Sequence, residues 1–240
     1  MSHLLIYKSV TLYKEDLLPL QVPQMWLTDN QISFYYEYLT ETVVNKSGKK
    51  IFLMTPPILM LLSYTNSPQE IKEIFQANDL SKQEYIFLPI NNKTDFDQFS
   101  GSHWSLLIFV KSLNTFFYYD SLYQSNFQIA TQFAERLAPV LVPETIQKDK
   151  FGQEEKVFNT NFVEVLSPQQ ENGFDCGVFS LAFTKFFVEN VCDTKTEINE
   201  HLFNKKEKLA NNITQESVTQ LRKDLLMIIN KLRKEKIVWI

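Results

Sequence analysis

The chain has 240 residues, a formal net charge of −4 and 44% hydrophobic residues, with 20 Phe and 10 Tyr among them, a composition that excludes collagen, disordered tracts and coiled-coil rods and predicts an aromatic-rich core. It lacks the clustered Lys/Arg surplus that neutralising phosphates demands, so no nucleic-acid partner is expected. No apolar run approaches the ~20 residues of a membrane span, no secretory signal stands at the N-terminus, and no repeat or linker divides the sequence, so residues 1–240 read as one non-membrane domain, cytoplasmic or nuclear.

In chain order, Thr28 to Leu39 carries Ile32, Tyr35, Tyr36 and Leu39 at helical spacing, and Thr55-Pro56 opens a second, short apolar helix. Ser67-Pro68-Gln69-Glu70 has the form of a capping box before Ile71, Ile74 and Phe75. Tyr85 to Ile90, His103 to Val110 and Thr115 to Tyr119 are rich in β-branched and aromatic residues and predict strands, the last two as a hairpin. Ser125 is the expected cap of a helix with Ile129, Phe133 and Leu137 inward, and Asn161 to Leu166 predicts another strand. Gly177 to Val191 is apolar almost all round, as a helix inside a core must be. Val218, Leu221, Leu225, Ile228 and Leu232 then step along an amphipathic C-terminal helix whose polar face is expected to stay in water.

Glycine is scarce, five in the chain, yet Gly101, Gly173 and Gly177 all lie within three residues of His103 or Cys176. Glycine serves where the backbone turns tightly or another group approaches closely, and an active site needs both, although loops alone need it too. Cys176 stands at the mouth of the most apolar helix, where the helix N-terminus favours the nucleophilic thiolate; the competing reading is a small buried hydrophobe. Cys192, at the far end of the same helix, fits that second reading. A catalytic cysteine needs a base. His3 lies near the terminus and His201 in a polar stretch, leaving His103 at the edge of a strand.

With the hairpin closed through Lys111 to Asn114, residues whose numbers sum to about 223 to 225 face each other, which brings His103 opposite or next to Asp120. A carboxylate there orients an imidazole and favours its cation; a plain turn aspartate is the alternative. Gln170, one turn before Cys176, can supply an amide donor to an oxyanion. The Cys and His spacings fit no metal site, no phosphate-binding glycine motif occurs, and no cofactor is expected.

Four motifs in order, Trp26-Leu27-Thr28-Asp29, Gly101 through Leu107, Phe117-Tyr118-Tyr119-Asp120-Ser121 and Gln170 through Gly177, resemble the Ulp/sentrin-specific cysteine proteases, and most closely their small deneddylase branch. The resemblance implies an α+β, papain-like fold of the Ulp type, a central sheet flanked by helices with the nucleophile at a buried helix N-terminus. It implies Cys176 as nucleophile, His103 as base, Asp120 as its orienter and Gln170 as oxyanion donor, the four that the residues themselves suggest. It adds Trp26 and Trp104 as walls of a narrow tunnel for a Gly-Gly tail, and Asp29 as a residue that helps hold that tail. Thr28 stands where the family usually has Asn, and the stretch from about Val140 to Asn159 is longer and more polar than in the small deneddylases.

The expected activity is therefore cleavage after the Gly-Gly of a ubiquitin-like modifier, the neddylation modifier first and SUMO next, by a catalytic monomer whose partners are the modifier and its protein conjugates. An acyltransferase on the same scaffold, or a module that grips a modifier without cutting it, is the alternative.

Overall fold

The computed structural model describes residues 3–65, 67–75, 79–92, 101–148, 150, 153–196 and 198–237. A short hairpin of β1 (Leu5–Tyr7) and β2 (Val10–Leu12) precedes α1 (Leu18–Gln21) and α2 (Asp29–Leu39), which continues through a π-turn, Thr40–Val44, into α3 (Asn45–Ser47). Then come β3 (Ile51–Leu53), α4 (Pro56–Ser63), α5 (Pro68–Ile74), β4 (Tyr85–Asn91), β5 (Trp104–Val110), β6 (Thr115–Tyr119) and α6 (Phe127–Leu141). A second hairpin, β7 (Thr145–Lys148) with β8 (Glu154–Val157), leads to β9 (Asn161–Val165), α7 (Cys176–Cys192), α8 (Glu200–Asn204), α9 (Lys206–Asn212) and α10 (Gln215–Ile237).

The main sheet has five strands in the order β3-β4-β5-β6-β9, parallel at its two outer pairings and antiparallel within. Both faces are covered, which explains why every residue of β5 is buried. Its side chains alternate: Leu106, Ile108 and Val110 join the core under α2, α7 and α10, while Leu107 and Phe109 join the core under α4, α5 and α6. Phe183 and Phe187 of α7 pack on Tyr119, and Phe203 stacks between Phe117 and Phe187. Fully burying such a ring contributes about 1.5–3 kcal/mol, so this aromatic cluster anchors α7 to the sheet.

The hairpin register pairs Leu106 with Tyr119 and Val110 with Thr115, within the range that the turn length predicts. Asn114 closes the turn at φ 46°, a left-handed conformation that Asn tolerates. The Ser67 hydroxyl accepts from the Glu70 N–H at 3.2 Å, as its motif predicts.

Two local expectations are corrected. Asn126 rather than Ser125 precedes α6, and the Ser125 hydroxyl turns back to the Leu122 carbonyl. On α10, Ile229 is fully buried and Ile228 only partly, and the polar face does not stay wholly in water, because Arg222 is 3% exposed. The polar stretch after Val140 contains the paired strands β7 and β8, exposed on nearly every residue of both.

Candidate active site

β5, β6 and α7 converge at one end of the sheet, since His103 precedes β5, Asp120 follows β6 and Cys176 is the first residue of α7. All three are buried, at 4%, 5% and 3% exposure. His103 Nε2 lies 2.5 Å from Asp120 Oδ1, and Cys176 lies near enough to the same imidazole to favour its protonated form. With Nε2 engaged by the carboxylate, Nδ1 is the ring nitrogen left for sulfur. Burial depresses the His103 pKa, but the bond to Asp120 and the contact with Cys176 outweigh it and raise the value from 6.5 to about 9. The ring is therefore cationic at neutral pH, and it sits beside a sulfur at a helix N-terminus, where partial positive charge also gathers.

Each member is braced. Asp120 Oδ1 also accepts from the Leu122 N–H at 2.9 Å, and its Oδ2 accepts from the Tyr118 hydroxyl at 2.5 Å and the Asn126 N–H at 3.2 Å. The Asn126 side-chain amide donates to the His103 and Ile90 carbonyls, each at 3.2 Å, tying the strand ends together. The Asn92 side-chain Oδ1 accepts from the Ser102 and His103 N–H groups at 2.7 and 3.0 Å, which fixes the turn into β5. At Gly101 a Cβ would lie 1.8 Å from Asn91 Oδ1, so a side chain there would require the Asn91 side chain to move.

Gln170 sits in the turn before α7. Its Oε1 accepts from the Ser121 hydroxyl at 2.8 Å, and its Nε2 donates to the Asn172 carbonyl at 2.5 Å while carrying a second hydrogen. Trp104 is buried, its indole N–H bonded to the Leu27 carbonyl at 2.9 Å. Trp26 is 45% exposed, its indole N–H bonded to the Gly173 carbonyl at 2.8 Å, across the turn that leads to Cys176. A Cβ on Gly177 would sit 3.0 Å from Leu27 and 3.2 Å from Trp104, so glycine lets α7 approach both.

Asp29 opens α2 and lines a cleft of about 220 Å³ with Leu27, Thr28, Asn91, Gly101 and Trp104. Thr28 caps α2: Gln31 Oε1 accepts from its N–H at 2.6 Å and from its hydroxyl at 2.9 Å. Among the described residues no group of three or more His, Cys, Asp or Glu could hold a metal ion, and no helix is long and apolar enough to cross a membrane. Cys192 lies at the other end of α7, and His201 is exposed on α8.

Residues 25–232 match the model of the Ulp1 protease family, C-terminal catalytic domain. The chain belongs to the Ulp1 protease family. It is 34% identical to the "Probable sentrin-specific protease 8" of Dictyostelium discoideum over 95% of this chain and 97% of the relative, and 28% identical to the "NEDD8-specific protease 1" of Arabidopsis thaliana over 98% and 95%. Among solved structures, the C-terminal Ulp1 protease domain in complex with Smt3, the yeast ortholog of SUMO, superimposes with a TM-score of 0.63 at 19% identity, covering 96% of this chain and 88% of that one. As a member of the Ulp1 family the protein is a cysteine peptidase, with the α+β fold expected of it.

Sequence reasoning passed over residues that hold these segments in place: Asn92, Tyr118 and Asn126, and the buried pair Asp175 and Arg222, which meet at 2.8 Å. Tyr118 and Asp175 stood inside motifs already singled out, and their direct neighbours drew the attention. Arg222 carried no local signal, since its partners lie far away in sequence.

Proposed function

We propose that the protein is a thiol isopeptidase and peptidase that cleaves after the C-terminal Gly-Gly of a ubiquitin-like modifier, NEDD8 first, with Cys176 as nucleophile. The observation that carries this is the buried relay from Asp120 through His103 to Cys176 at the N-terminus of α7, behind two tryptophans. The imidazolium holds the thiolate; the thiolate attacks the carbonyl of the terminal glycine; His103 protonates the leaving amine; water then releases the acyl-enzyme with His103 as base. Gln170 and the Cys176 N–H are the proposed donors to the oxyanion.

Trp26 and Trp104 are the proposed walls of the tail channel, with Asp29 in the cleft beside it. A passage between two indoles accepts residues without side chains and rejects bulkier ones, so shape selects Gly-Gly. NEDD8 is favoured over SUMO because the relative named for NEDD8 aligns along nearly the whole of both chains. The family match over residues 25–232 and the single sheet shared by both cores support reading residues 1–240 as one Ulp-type domain. No cofactor takes part in this mechanism, and the acting species is proposed to be the monomer.

The test is turnover of C-terminal fusions of NEDD8, SUMO and ubiquitin. The expected result is cleavage after Gly-Gly with NEDD8 preferred, abolished in Cys176→Ala while modifier binding persists. Cleavage by that variant contradicts the assignment.

A further inference from the structure

Outside the relay, the most heavily engaged buried charge is Arg222 of α10. Its Nε and Nη2 donate to Asp175 Oδ1 at 3.2 and 2.8 Å, Nη2 also to the Phe174 carbonyl at 3.2 Å, and Nη1 to the carbonyls of Met25, at 3.0 Å, and Pro19. One planar guanidinium thus joins the segment that ends at Trp26 to the turn that ends at Cys176. Trp26 closes the same circuit through its bond to the Gly173 carbonyl.

The turn is organised around Asp175. Its Oδ2 accepts from Asn172 Nδ2 at 2.8 Å and Gln215 Nε2 at 2.6 Å, while Asn172 Oδ1 accepts from the Phe174 and Asp175 N–H groups at 3.0 Å each. Gln215 Oε1 accepts from the Glu171 N–H at 3.2 Å, so α10 grips this turn at two places. Asp175 also occupies the cap position of α7, directly before Cys176. A carboxylate there opposes a neighbouring thiolate, while the His103 imidazolium favours it; a paired Arg222 cancels the opposing charge.

Resting on the proposed thiol-protease reading, we propose that Arg222 is a positioning residue with two separable effects: it clamps the Trp26 segment against the nucleophile turn, and it neutralises Asp175 beside the Cys176 thiolate. The clamp needs the guanidinium fork, and the neutralisation needs only the absence of net charge at the pair.

The experiment compares full-length wild type with Arg222→Lys, Arg222→Met and the double variant Asp175→Asn/Arg222→Met. Readouts are kcat and KM on a NEDD8 fusion, melting temperature, and the rate of Cys176 alkylation by chloroacetamide at neutral pH, with Cys176→Ala as the blank for Cys192. Arg222→Met is expected to lower kcat/KM by about tenfold or more and to slow alkylation about threefold or more. The double variant is expected to recover the alkylation rate without recovering KM. Arg222→Lys is expected to keep the alkylation rate and raise KM, because one ammonium cannot reach acceptors on both segments.

A folded Arg222→Met variant within about twofold of wild type in both alkylation and kcat/KM overturns the proposal. So does a double variant that alkylates no faster than Arg222→Met. If Arg222→Met does not fold, Arg222→Lys judges the clamp, and an unchanged KM overturns it. Failure of wild type to cleave any fusion sinks the protease reading instead, and the alkylation rates then still decide whether Arg222 governs the thiol.

Discussion

His103 and Asp120, one before β5 and one after β6, meet at 2.5 Å with both side chains buried. The Asp120 carboxylate bonds the ring, and its charge helps hold the ring cationic. Replacing Asp120 by Asn is expected to lower kcat by about 100-fold or more, in the range of general acid–base contributions. Steady-state turnover measures this, and a loss below about threefold would contradict the relay.

The raised pKa of His103, about 9, fixes the pH dependence. Above that value the ring loses the proton it must hand to the leaving amine, so kcat/KM is expected to fall on the alkaline side with a midpoint near 9. The stability linkage has the same sign: a pKa raised on folding contributes fully below the unfolded value of about 6.5 and fades as pH rises through about 9. In Asp120→Asn the alkaline limb should move down. An unmoved limb would assign it to another group.

Trp26 is 45% exposed, and its indole N–H bonds the Gly173 carbonyl. Truncation of an exposed side chain costs little stability, within about 1 kcal/mol, yet a channel wall would be lost. Trp26→Ala is expected to melt near wild type and to raise KM for Gly-Gly-tailed substrates about tenfold. Unchanged KM would remove Trp26 from the channel.

Gly177 is tested by Ala, whose Cβ would press on Leu27 and Trp104 at 3.0 and 3.2 Å. Overpacking costs about 1–3 kcal/mol, and the better helix propensity of Ala returns up to about 1 kcal/mol. The expected net is a loss of about 1 kcal/mol with reduced kcat/KM, because Trp104 is displaced. A stabilised and fully active variant would show that the close approach is not required.

Tyr118 donates to Asp120 Oδ2, and burial, with the Asp120 charge, holds its phenol well above the usual range, so it remains a donor at every working pH. Tyr118→Phe leaves a buried carboxylate oxygen with one donor fewer, at a cost of about 1–3 kcal/mol. Chemical denaturation measures that cost, and a shift of the alkaline limb would show that Tyr118 also tunes the relay.

The His103–Asp120 pair was legible because a short hairpin converts sequence distance into register: with Lys111 to Asn114 as the turn, Asp120 falls two register positions from His103, near enough for the side chains to meet. Cys176 was legible from the apolar face of α7 on every side. Arg222 was not, because periodicity assigns a charge on an amphipathic helix to water, and only the fold brings Asp175, Met25 and Pro19 to its fork. The outer strand β3 was missed for a related reason: three residues are too few to show alternation, and its place comes from pairing with β4. Asn126 precedes α6 without a side-chain cap bond, its amide donating instead to the buried carbonyls of Ile90 and His103.

The most direct test of the whole account is reaction of the purified protein with NEDD8 carrying a C-terminal electrophile, beside SUMO and ubiquitin probes and the Cys176→Ala variant. The account predicts one covalent adduct, formed fastest with NEDD8, mapped to Cys176 and absent from the variant. An adduct on Cys192, or no adduct with any probe from folded protein, would contradict it.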